Sequence, residues 1–117
     1  MDQRRKHYRL PYVCPCVLVY EGKNYPTHLV DISLKGAMVG APVGLDPKEG
    51  HAYRLEVTLD EAPGAIAMEV APAHWTKGRI GLRCFSMDVD SLTHLRRLLE
   101  LNLGDATLVE KELRQMD

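Results

Sequence analysis

The sequence predicts a mainly β domain, a small antiparallel barrel or sandwich with helices packed at its C-terminal end. Three observations carry this. Six short β-rich runs separated by turn residues lie between positions 12 and 85, the hydrophobic period turns helical after residue 87, and no repeat, linker or low-complexity stretch divides the 117 residues.

The first run is "YVCPCVLVY" (12–20), rich in β-branched and aromatic residues, with Pro15 marking an edge or a bulge. "EGKN" (21–24) is a turn, and "PTHLVDIS" (26–33) the second strand. "SLKG" (33–36) turns the chain into "GAMVGA" (36–41). Residues 42–51 hold two prolines and two glycines and form a longer loop. In "YRLEVTLD" (53–60), Tyr53, Leu55, Val57 and Leu59 alternate on one face. "AIAMEVAPAHW" (65–75) alternates more loosely, with Pro72 implying a bulge, and "IGLRCF" (80–85) closes the series. From 87 to 102, Leu92, Leu95, Leu98, Leu99 and Asn102 fall at helical spacing, with Asp88, Asp90 or Ser91 available as N-cap. In 105–117, Ala106, Val109, Leu113 and Met116 share one face of a second amphipathic helix. The expected organisation is one domain, 1–117: a flexible basic arm (1–11), a β-barrel (12–86) and a helical part (87–117).

Composition excludes several function classes. A chain of net charge −1 is not a general nucleic-acid coat. No apolar run approaches the ~18 residues of a membrane span, and the charged N-terminus has no secretory h-region. Three cysteines without such a signal read as reduced thiols in a cytoplasm. Cys14 and Cys16 lack the second pair of a zinc site, and the histidines form no metalloprotease array. Strict alternation points His28 away from Asp31 and Ser33, which speaks against a catalytic triad. The expected protein is no enzyme and needs no cofactor or metal.

The charge is unevenly placed. Residues 1–9 carry four cations (Arg4, Arg5, Lys6, Arg9) against Asp2, so residues 10–117 are net −4. Such a segment is either a solvated tail or an anion clamp. Arginine presents a planar fork that pairs with phosphate or with a guanine edge and stacks on bases. "DISLKG" (31–36) also reads two ways. Asp, Ser and Gly are ordinary turn residues. Asp31 and Ser33, two apart on a strand, equally present acceptors on one face to the N1–H and N2–H₂ donors of guanine, with Gly36 permitting close backbone approach.

Together, Arg5-x-x-x-Arg9 and Asp31-x-Ser33-x-x-Gly36 resemble the paired signature of the PilZ domain family, bacterial receptors for cyclic di-GMP. The resemblance spans nearly the whole chain and extends to "SLTHLRRLLELNLGD" (91–105). It implies a six-stranded antiparallel β-barrel with flanking helices. It also implies that Arg5 and Arg9 grip guanine edges and phosphates, that Asp31 and Ser33 read the guanine, and that Gly36 shapes the turn. Arg4 would serve the second molecule of an intercalated ligand dimer. Lys6 contacts phosphate or faces water, and Trp75 either reaches the ligand or belongs to the core. The implied output is a conformational change read by an unidentified protein partner, with no nucleic acid and no membrane insertion. Two alternatives remain: a PilZ-fold interaction adaptor with weak or no nucleotide binding, and an oligonucleotide-binding barrel. The latter is disfavoured by 6% aromatic content and the acidic body.

Overall fold

The computed structural model describes residues 9–48, 50–59 and 64–103. Its elements are β1 (Leu10–Tyr20), β2 (Lys23–Ser33), β3 (Gly36–Gly40), β4 (Tyr53–Thr58), β5 (Ala65–Thr76), β6 (Arg79–Met87) and α1 (Val89–Leu103). The six strands close into an antiparallel barrel in the order β1-β2-β3-β6-β5-β4. Closure leaves no long unpaired edge to template aggregation. β1 starts two residues ahead of the expected Tyr12, and the second expected helix (105–117) lies outside the described residues.

Alternation fills the interior. In β4, Tyr53, Leu55 and Val57 are buried while Arg54, Glu56 and Thr58 are exposed. Leu18, Leu29, Ile32, Ile66, Met68 and Val70 join them in one core. The prolines sit where a strand can spare a donor. Pro15 pairs with β2 just before β4 joins β1 at Cys16, and Pro72 lies beyond the β4 pairing, beside a bulge at Ala73.

One irregularity changes which side chains face outward. Leu29 pairs with Val39 and Asp31 with Met38, so Val30 has no partner on β3. This bulge shifts the inward phase from Leu29 to Ile32. Strict alternation therefore fails for His28, which shares the outer face with Asp31 and Ser33. Its ring covers Gly40, with both ring nitrogens 3.0 Å from where a Cβ there would stand and Cε1 closer still.

Where the β5–β6 ladder ends at Met68 and Met87, α1 takes over. Ser91 Oγ accepts the Ala67 N–H (2.9 Å) and donates to Asp88 Oδ1 (2.7 Å), while Asp88 Oδ2 accepts the Ser91 N–H (3.1 Å). Of the three candidate caps, Asp88 is thus the N-cap, and the bonds from Ser91 hold its carboxyl below the usual range. Leu95, Leu98 and Leu99 bury the apolar stripe of α1, which packs against β5.

Candidate functional site

The β2–β3 turn is the centre of the site. Ser33 and Gly36 pair across it and enclose Leu34 and Lys35. Leu34 is fully buried and anchors the turn from inside. Ser33 Oγ accepts the Lys35 N–H at 3.1 Å, and the Lys35 carbonyl accepts the Cys84 N–H of β6 at 2.8 Å. A Cβ on Gly36 would overlap the Leu82 carbonyl oxygen and stand 3.1 Å from Arg83 Cα. Glycine is therefore required here by the neighbouring strand.

The outer face reads as two rows across four strands. One runs Ser33, Gly36, Arg83, Ala71, and the next runs Asp31, Met38, Gly81, His74. The glycines of the rows leave a recess. Arg9, Asp31, Ser33, Lys35, Gly36, His74 and Arg83 are among the residues lining a cleft of about 180 Å³ there. Arg9 Nη2 donates to Asp31 Oδ2 at 3.4 Å. That distance exceeds the ~2.7–2.9 Å of a tight charge-assisted bond. The pair is half-open to water, so Arg9 can be redirected at little cost.

The fold therefore brings Arg9, Asp31, Ser33 and Gly36 to one cleft. Arg4, Arg5 and Lys6 lie outside the described residues. Trp75 is not brought to the cleft: it pairs with the inward residue Ile80 and is 45% exposed away from the lining. Sequence reasoning missed Lys35, His74 and Arg83. Their signal was faint, a cation inside the motif turn and a second one two residues after Gly81.

The cleft lining carries Arg9, Lys35 and Arg83 against Asp31, so it attracts anions although the chain as a whole is net −1. The described residues hold no group of three His, Cys, Asp or Glu suited to a metal. Cys14 and Cys16 point into the core, where burial and then the neighbouring Cys14 push the Cys16 thiol up to about 12, far from a ready thiolate. No helix among the described residues is long and apolar enough to cross a membrane.

Fold and cleft define a small β-barrel binding module with a cationic recess on its outer wall. The family profile described as "PilZ domain" matches residues 3–101, and the chain belongs to the PilZ domain family, known as receptors for cyclic di-GMP. Among solved structures it is similar to the Bacillus subtilis inhibitor of motility (MotI/DgrA), at 21% identity and a TM-score of 0.70, covering 88% of this chain and 53% of that one. The chain thus spans about half the length of that protein. It is also similar to the PilZ domain of CeSA from a cellulose-synthesizing bacterium, at 16% identity and a TM-score of 0.64, covering 84% and 99% of the two chains. At these identities the likeness concerns the fold.

Proposed function

We propose that this chain is a cytoplasmic, non-catalytic receptor for cyclic di-GMP that signals to a protein partner. The observation that supports it is the convergence of Arg9 with Asp31, Ser33 and Gly36, more than twenty residues further along the chain, on one cation-lined cleft. Asp31 and Ser33 offer acceptors to a guanine edge, and Arg9 offers a fork to phosphate or to the Hoogsteen edge. Ligand sites ordinarily enclose about 300 Å³ or more. The described cleft, at about 180 Å³, is open-sided, and Arg4, Arg5 and Lys6 are the residues assigned to complete it. Arg5 would pair with a second guanine or phosphate, Lys6 with phosphate, and Arg4 with a second, intercalated ligand molecule. Ligand contact by Arg4, Arg5, Lys6 and Arg9 would alter the surface offered to the partner.

Calorimetric titration with cyclic di-GMP, GMP and single-stranded DNA in parallel tests this. The expected result is binding of cyclic di-GMP alone, at two molecules per chain, falling to one in Arg4→Leu. Absence of heat and of competition at millimolar cyclic di-GMP overturns the reading. It would leave the adaptor reading, which one observation favours: Asp31 and Ser33 already have partners within the chain.

A further inference from the structure

The motif residues occupy only the β2–β3 side of the cleft, and the opposite wall is built by β5 and β6. There the His74 ring lies flat on Gly81, and a Cβ at Gly81 would come within 2.6 Å of Nε2. Gly81 is thus the seat on which the imidazole rests, as aromatic rings cover glycine on a neighbouring strand. One ring face is against backbone, His74 is exposed, and its nitrogens have no hydrogen-bond partner among the described residues. The bulge at Ala73 turns the strand at this point, and bulges re-aim side chains.

Position adds to this. His74 and Asp31 end the same cross-strand row, three inter-strand spacings apart. At about 4.8 Å per spacing, the sheet surface between them spans about 14 Å. A single purine held at Asp31 does not cross that span, whereas a second base of a dinucleotide does.

We infer that His74 is a ligand-contacting residue, the barrel-borne platform on which the base of cyclic di-GMP far from Asp31 stacks. The inference rests on the receptor reading of the cleft.

The test is calorimetry of the full chain with cyclic di-GMP. His74→Ala should bind about tenfold more weakly, with an unchanged melting temperature. His74→Phe keeps a flat ring and should bind about as well as the unsubstituted chain. Affinity of His74→Ala equal to that of the unsubstituted chain overturns the platform, and so does His74→Phe binding as weakly as His74→Ala. No binding by the unsubstituted chain overturns the receptor reading itself, and this inference with it.

Discussion

Two hairpin turns a few residues apart are built in opposite ways. The β1–β2 turn, Glu21–Gly22, has φ of 51° and 79°, both in the left-handed region whose twist suits a two-residue hairpin. Both residues are exposed, and nothing lies within 4 Å of a Cβ placed on Gly22. The β2–β3 turn, Leu34–Lys35, has no positive φ. Its own backbone is poorly matched to the strands it joins, and it is held by Ser33 Oγ and the Cys84 N–H of the flanking strands, above the core in which Leu34 is buried. A turn that only connects is specified by its own two residues. A turn that presents Ser33, Lys35 and Gly36 to a cleft is specified by its neighbours.

The largest effect that follows is at Gly36. Gly36→Ala should cost about 3 kcal/mol, the upper end for overpacking, because the clashing partner is β6 backbone rather than a movable side chain. Chemical denaturation compared with the unsubstituted chain measures it. A loss below about 1 kcal/mol would show that β6 gives way easily and that the turn is not clamped as described.

Next come the groups the clamped turn presents. Arg9→Ala should weaken cyclic di-GMP binding about 30-fold, about 2 kcal/mol. The melting temperature should hardly move, since an exposed ion pair contributes only about 0–1 kcal/mol. Arg5→Ala should share the binding loss. Asp31→Ala should lower the preference for guanine over adenine cyclic dinucleotides about tenfold, since the carboxylate reads the base while the arginines supply charge. Equal losses for both ligands would reduce Asp31 to a partner for Arg9.

Much of this was legible in the sequence. The six strands follow from alternation and turn residues, because burial on one barrel face imposes a period of two, as Tyr53, Leu55 and Val57 illustrate. Arg9, Asp31, Ser33 and Gly36 were legible as a motif. What was not legible depends on pairing. An unpaired residue such as Val30 leaves no mark in composition, yet it moves His28 to the outer face. His74 and Arg83 reach the motif turn and its Lys35 through the β3–β6–β5 register, which no local spacing encodes. Trp75 drew attention by its type, while the bulge at Ala73 gave the cleft to its neighbour His74.

Ser33 separates the two roles of the clamped turn. Ser33→Ala removes the acceptor for the Lys35 N–H from a residue only 4% exposed, and the expected loss of stability is about 1.5 kcal/mol. If the hydroxyl also reads guanine, binding should fall by more than the destabilised turn explains. Affinity measured well below the melting transition distinguishes these. Lower stability with intact affinity would make Ser33 a turn residue only.

The smallest effect belongs to the self-specified turn and sharpens the contrast. Gly22→Ala forces an L-residue into the left-handed region at φ 79°, beside Glu21 already there. The strain should cost about 1 kcal/mol and nothing more, since the new methyl meets open space. Gly22→Asn should recover most of that, because asparagine's short polar side chain tolerates this conformation. At Gly36 the same asparagine should be worse than alanine, because the obstacle there is the β6 backbone and a larger side chain only adds to it. Four denaturation curves, Ala and Asn at each position, decide the matter. Recovery by asparagine at both positions would mean that Gly36 too is chosen for its dihedral angle. The distinction between a turn written in its own residues and one held by its neighbours would then fail.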